Sequence, residues 1–169
     1  MIFVTVGTHE QPFDRLVRYM DHRKERGKIG EDVVMQIGFG TYEPKYCTWE
    51  RLISYEKMHS YTADARIVIT HGGPASFLMP LQMGKIPIVV PRQAGFHEHV
   101  NDHQVEFVQK VAERMGTVIP VIDIDDLGQV IEHYEDITRR MSGEMNSNNR
   151  EFNRELGEMV RQLLGGERR

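Results

Sequence analysis

Short β-branched runs that alternate with helical patterns, with no hairpin turn between them, constrain this chain more than any other feature. The first run, residues 2–6, stops at Gly7-Thr8 as a buried parallel strand does. Pro12 then precedes Phe13, Leu16, Val17 and Met20, which recur at helical spacing, while charged residues between Asp14 and Arg26 fill the opposite face. Similar runs return at 33–37 before Gly38-Phe39-Gly40, more briefly at 52–55, and at 66–70 before His71-Gly72-Gly73. A helix over 75–83 leads to a strand at 86–90, and a polar loop leads to a helix on which Val105, Val108, Ala112 and Met115 share a face. A last short strand is expected at 117–121. The expected class is therefore α/β, a Rossmann-like doubly wound parallel sheet with helices on both faces.

At 169 residues the chain can build one ordinary core and hardly two. Beyond Asp123 strands give way to two helical segments, separated by Ser142-Gly143 and by Asn146-Ser147-Asn148-Asn149, which read as a linker. The expected organisation is a single domain over 1–141, followed by a linker and amphipathic C-terminal helix over 142–169. That helix aligns Phe152, Leu156, Met159, Val160 and Leu163 in one stripe, which needs a surface on its own domain or on another chain.

Apolar residues at 40% and charged residues at 27% fit a packed globular domain rather than a disordered one. The net charge of −4, with Lys and Arg scattered, offers no basic stripe for duplex binding, so nucleic acid is not an expected partner. No basic leader precedes the first strand and no later stretch approaches a membrane span, so the chain is expected in the cytoplasm. Cys47 has no second cysteine to pair with and reads as a small packed residue.

In an open parallel sheet, ligands bind at the carboxyl ends of the strands, where loops and helix N-termini aim backbone N–H groups at anions. Three such loops are unusual in composition. Gly7-Thr8-His9-Glu10-Gln11 follows the first strand. In His71-Gly72-Gly73-Pro74-Ala75-Ser76 the paired glycines allow close backbone approach, and Ser76 with the following N–H groups could hold a phosphate; a tight turn without ligand is the competing reading. The third loop, 91–104, concentrates His97, Glu98, His99, Asn101, Asp102, His103 and Gln104, a set suited either to reading sugar hydroxyls or to a solvated helix start. His99 and His103 stand four apart, as two metal ligands on one helix face would, but the HExxH pattern is absent and no metal is expected. No dinucleotide fingerprint, P-loop or serine elbow occurs, and the loops lack the aromatics a flat flavin ring would need.

The segments MIFVTVGTHEQPFDRLV, THGGPASF, GKIPIVVPR and EHVNDHQVEF, in that order, resemble bacterial capsule and exopolysaccharide glycosyltransferase subunits. Those subunits are similar to the C-terminal half of GT-B enzymes of glycosyltransferase family 28, the half that binds the nucleotide sugar. The resemblance covers about the first three-quarters of the chain. It implies a donor-binding subunit that takes a UDP-sugar, galactose being the first guess. It also implies a separate membrane-anchored subunit holding the lipid-linked saccharide acceptor, so that this chain sits at the inner face of the plasma membrane through its partner.

By the same resemblance Gly7, Thr8 and His9 would face the diphosphate; His71, Gly72, Gly73 and Ser76 would line the nucleotide and phosphate pocket; and Asn101, Asp102 and Gln104 would hold the sugar. Gln36 would lie near the uracil-side loop, and His97 is included with the donor-binding residues. Inverting displacement is implied, in which the leaving diphosphate needs N–H groups, a helix dipole and a cationic side chain, for which His9 and Arg92 are candidates. Glu10 and His97 are candidates for the base if it is not on the partner. No cofactor or metal is expected. Distant members carry an acidic residue for the ribose shortly after the Gly-Gly turn, whereas here the stretch is Phe77-Leu78-Met79. That departure favours an alternative reading, a non-catalytic subunit that stabilises or activates a transferase.

Overall fold

The computed structural model describes residues 1–145, in which six strands form one parallel sheet. Along the chain these are β1 (Ile2–Thr5), α1 (Asp14–Glu25), β2 (Val33–Gln36), β3 (Thr48–Glu50), α2 (Tyr55–Asp64), β4 (Ile67–His71), α3 (Pro74–Gln82), β5 (Ile88–Val90), α4 (His103–Met115), β6 (Ile119–Pro120), α5 (Leu127–Glu132) and α6 (Tyr134–Met145). Short 3₁₀ turns lie at Ala94–Phe96 and Ile124–Asp126. The order across the sheet is β3-β2-β1-β4-β5-β6. β1 is fully buried at the centre, paired to β2 through Ile2↔Val33 and to β4 through Ile2↔Ile67. The order reverses between β1 and β4, so the loops leaving these two strands diverge and open a crevice at their carboxyl ends.

Alternate strand residues feed opposite layers. Ile2, Val4, Ile67, Ile69, Ile88 and Val90 pack with Leu16, Val17 and Met20 of α1 and with Leu127, Ile131 and Tyr134 of α5 and α6. Phe3, Val68 and Val89 face the other way, toward α2, α3 and α4. Burying Phe13, Leu16, Val17 and Met20 completely contributes about 1.5–3 kcal/mol each and fixes where α1 begins relative to the sheet.

Three local expectations are corrected. The third strand is Thr48–Glu50, not 52–55: Leu52 and Tyr55 are 56% and 69% exposed, and Ser54 caps α2 by accepting the Lys57 N–H at 3.3 Å. The buried face of α4 is centred on Phe107, Val108 and Val111 rather than on Val105 and Met115, which are half-buried. Ser142 and Gly143, read as part of a linker, fall within α6. The Asn-rich cluster and the stripe Phe152, Leu156, Met159, Val160 and Leu163 lie outside the described residues.

The crossover from β2 to β3 contains no helix and is strapped to α1 instead. Asp14 accepts from the backbone and hydroxyl of Thr41. Two helical turns further, the fully buried Asp21 accepts from Tyr42 Oη (2.6 Å) and from the N–H groups of Lys45 (2.9 Å), Tyr46 (2.8 Å) and Cys47 (3.1 Å). Burial alone would push its carboxyl upward, but these hydrogen bonds together hold it below the ordinary range. Cys47 is half-buried against the core, and burial pushes its thiol up to about 12.

Candidate functional site

The crevice at the switch point is built around one imidazole. His71 ends β4, and Gly7 and Gly73 close on its two sides. A Cβ on Gly7 would stand 2.9 Å from His71 Cδ2 and closer still to Nε2, and one on Gly73 would collide with Cε1. Gly7 also has φ +75°, a conformation that side chains with a Cβ rarely adopt. Gly72 is equally confined, a Cβ there reaching 2.9 Å from Gln104 Cβ. Gly7 and Gly73 are therefore needed for packing around His71, and Gly72 for packing against Gln104, whatever else they approach.

Three histidines share one local arrangement. His9, His71 and His99 each accept, at Nδ1, the backbone N–H two residues ahead: Gln11 at 3.1 Å, Gly73 at 3.0 Å and Asn101 at 3.4 Å. A neutral imidazole that accepts at Nδ1 carries its proton on Nε2. For His71 that proton goes to Ser76 Oγ, its hydrogen-bond partner in the first turns of α3. Ser76 thus receives a proton from His71 and cannot be activated by it as a nucleophile, while its own hydroxyl proton can be donated elsewhere. The His9 and His99 rings lie 5.0 Å apart. Burial, then the positive charge of Arg92, depress His71 to about 3, with the His9 and His99 rings adding and the Gln104 amide opposing. His9 is lowered by burial first, then by Arg92 and His99, against Glu10.

Arg92 lies beneath the loops at 1% exposure. Its Nη1 donates to the carbonyls of Gln11 (2.7 Å) and Glu98 (3.1 Å), its Nη2 donates to the carbonyl of Val6 (2.9 Å), and the guanidinium carbon sits 5.0 Å from the Phe13 ring centre. Burial lowers it to about 10, with Glu98 opposing, so it stays charged at neutral pH. The sequence reading has Arg92 as a cation facing the leaving group; the buried guanidinium instead spends hydrogen bonds on backbone.

Other expected contact residues also spend polar atoms on the protein itself. Gln36 is saturated: Oε1 accepts from Thr5 Oγ1 (2.7 Å) and Gly7 N–H (3.1 Å), and Nε2 donates to the carbonyls of Gly7 and Arg51 (2.9 Å each). It braces the first loop and has no capacity left for a base. Gln104 Oε1 accepts the Arg92 N–H at 3.1 Å. Asn101 Oδ1 accepts the His103 N–H (3.2 Å) and Asp102 Oδ1 the Ala94 N–H (2.8 Å), so both shape the turn into α4. Glu98, grouped by sequence with the sugar-reading residues, is 3% exposed and held in a two-pronged ion pair by Arg15, at 2.9 Å to each oxygen. α4 starts at His103, leaving His99 in the loop, so the two do not share a helix face. Thr8, Glu10 and His97 remain exposed at the mouth, His97 with φ 59°.

Arg15 carries no signal in the sequence; it stands 83 residues from Glu98 and yet anchors the β5–α4 loop, also donating to the Pro91 carbonyl at 3.1 Å and stacking on Phe96. Among the described residues no cluster of three or more His, Cys, Asp or Glu could hold a metal ion, and no helix is long and apolar enough to cross a membrane.

The family model described as "Glycosyltransferase family 28 C-terminal domain" matches residues 1–160. The chain belongs to this family. A family 28 C-terminal domain is the donor-side half of a GT-B glycosyltransferase, and the sheet order and flanking helices of this domain are of that fold. Among solved structures, one titled as the glycotransferase of kitacinnamycin superposes with a TM-score of 0.57 at 16% identity, covering 84% of this chain and 37% of that one. The glycosyltransferase SnogD from Streptomyces nogalater gives a TM-score of 0.48 at 16% identity, covering 83% and 39%. The chain thus spans less than half the length of these two proteins. No curated protein matches it.

Proposed function

We propose that this family 28 domain is the donor-binding catalytic subunit of a two-component inverting glycosyltransferase, moving a hexose, galactose as first choice, from a UDP-sugar to a lipid-linked acceptor in polysaccharide synthesis. The observation that carries the reading is the crevice at the β1/β4 switch point. There the N-terminus of α3, the Ser76 hydroxyl, oriented by the His71 Nε2–H, and the His9 Nε2–H converge where a diphosphate would leave. Such preorganised donors stabilise developing negative charge without moving at the moment of reaction. His9 belongs to that set, Thr8 and Glu10 stand at its rim, and Glu10 or His97 could take the acceptor proton. Asn101, Asp102 and Gln104 act through the turn they build, with their remaining polar atoms available to the sugar. Gln36 and Arg92 hold the loops.

The acceptor half is assigned to a membrane-anchored partner at the cytoplasmic face of the membrane. Support for it is the resemblance of 1–17, 70–77, 84–92 and 98–107 to capsule and exopolysaccharide transferase subunits, which implies an acceptor half on a separate membrane-anchored chain. The C-terminal segment 142–169 is the natural candidate for docking to that partner.

One observation favours a helper subunit instead. Where a ribose carboxylate would stand, Phe77 is fully buried and Met79 Sδ accepts from Thr62 Oγ1. Calorimetric titration with UDP and a panel of UDP-sugars separates the two readings. A catalytic donor half binds UDP and at least one UDP-sugar, and transfers it to lipid acceptor once co-expressed with its membrane partner. No heat with any nucleotide sugar at millimolar concentration would replace the transferase reading with the helper one.

A further inference from the structure

Arg92 joins two loops that are far apart in sequence. Val6 and Gln11 bracket the β1–α1 loop, Glu98 lies in the β5–α4 loop, and one guanidinium donates to all three backbone carbonyls. A second connection, from Arg15 on α1 to the Glu98 carboxylate, clamps the same β5–α4 loop from outside. Because Glu98 gives its carboxylate to Arg15 and only its carbonyl to Arg92, the Arg92 charge has no carboxylate hydrogen-bonded to it. Its Nε is buried with no hydrogen-bond partner at all. A lightly compensated buried cation opposes positive charge nearby, and the two imidazoles whose protonation it disfavours are His9 and His71.

We propose that Arg92 is a positioning residue, which ties the two loops from below and keeps both imidazoles neutral, His9 as an Nε2–H donor toward the diphosphate and His71 as the Nε2–H donor that orients Ser76 Oγ, without touching the donor itself. This rests on the donor-binding reading above. A direct phosphate clamp would need its N–H groups at the mouth, whereas Arg92 is 1% exposed and spends them on Val6, Gln11 and Glu98. The charged and titratable groups around His9 are Arg92 from the end of β5, His99 from the β5–α4 loop and Glu10 beside it; around His71 they are Arg92, His9 and His99. Among these charged groups only Glu10 favours a protonated ring, acting on His9 from an exposed position, while at His71 the neutral Gln104 amide does so. Neutral rings matter because each then holds one N–H in a direction fixed by its Nδ1 bond to backbone, from His9 outward and from His71 onto Ser76 Oγ, a geometry an exposed flexible cation would not hold.

The test is nitrogen-detected NMR of the histidine and arginine side chains in the full chain, free and with UDP. In the wild type, His9 and His71 are expected protonated on Nε2 alone at neutral pH. UDP should shift the His9 ring and leave the Arg92 Nη resonances without through-hydrogen-bond coupling to phosphorus. In Arg92→Met the His9 midpoint should move up toward 6.5. In Arg92→Lys it should stay near the wild-type value, because charge is retained, while UDP affinity falls at least tenfold through the lost carbonyl ties. Phosphorus coupling to Arg92, an Nδ1–H tautomer at His9 or His71, or an unchanged His9 midpoint in Arg92→Met would each overturn the proposal. Should Arg92→Met not fold, the wild-type tautomers and the lysine variant decide. The tautomers and midpoints need no ligand, so a failure of UDP to bind refutes the donor reading separately.

Discussion

Replacing Gly7 by Ala probes the centre of the site with a single methyl group. Two separable costs arise. The backbone at φ +75° penalises any residue with a Cβ by about 1–2 kcal/mol. The new Cβ would also stand 2.9 Å from His71 Cδ2 and 3.2 Å from Cε1, nearer still to Nε2, and Gly73 blocks retreat on the other side. The ring must therefore leave its place and lose its bonds with the Gly73 N–H and with Ser76, at about 1 kcal/mol each. The expected total for Gly7→Ala is roughly 3–4 kcal/mol, a large part of an ordinary domain's stability. In a His71→Ala background there is no ring to displace, and only the backbone cost of about 1–2 kcal/mol remains. Urea denaturation of the four proteins closes a double-mutant cycle with an expected coupling of about 2 kcal/mol. Equal costs for Gly7→Ala with and without the imidazole would refute the packing argument, and with it the explanation of why this loop begins on glycine.

The remaining predictions concern pH and the strap on α1. His71 is depressed in the folded state to about 3 from 6.5, so folding excludes a proton that the unfolded chain binds below pH 6.5. Its stabilising contribution is complete above pH 6.5 and is lost as pH falls through that window toward 3. Between pH 6.5 and 5, where the carboxylates are still ionised, stability should fall with acidification at up to about 1.4 kcal/mol per pH unit from this group, and an unchanged slope in His71→Asn would contradict its neutral state. Asp21→Ala removes one acceptor carboxylate from Tyr42, Lys45, Tyr46 and Cys47 at once. It should cost about 2–4 kcal/mol and raise amide exchange at 45–47, and protection as slow as in the wild type would show that the strap does not depend on Asp21.

How much of this was legible in the sequence can be argued residue by residue. The alternation of β-branched runs with helical stripes determined the parallel, doubly wound sheet, because burial on both faces forces continuous apolar strands and crossover connections force helices between them. Gly7, and His71 with Gly72 and Gly73, announced tight loops at two strand ends, and those two loops flank the switch point. The edge strand β3 was not legible, since Thr48-Trp49-Glu50 is half exposed and carries no apolar period.

Only the tertiary structure decided which polar residues face a ligand and which hold the loops. Arg92 is expected as a cation toward the leaving group and Gln36, by resemblance, near the uracil-side loop, yet Arg92 meets Val6 across 86 residues and Gln36 meets Gly7 across 29, and both are buried. Arg15 and Glu98 find each other across 83. Local pattern reports the period with which a segment presents its side chains, and that fixes elements and layers. It does not report which buried N–H or C=O from a distant loop will lack a partner, and satisfying those groups is what commits an arginine or a glutamine to the inside of the site.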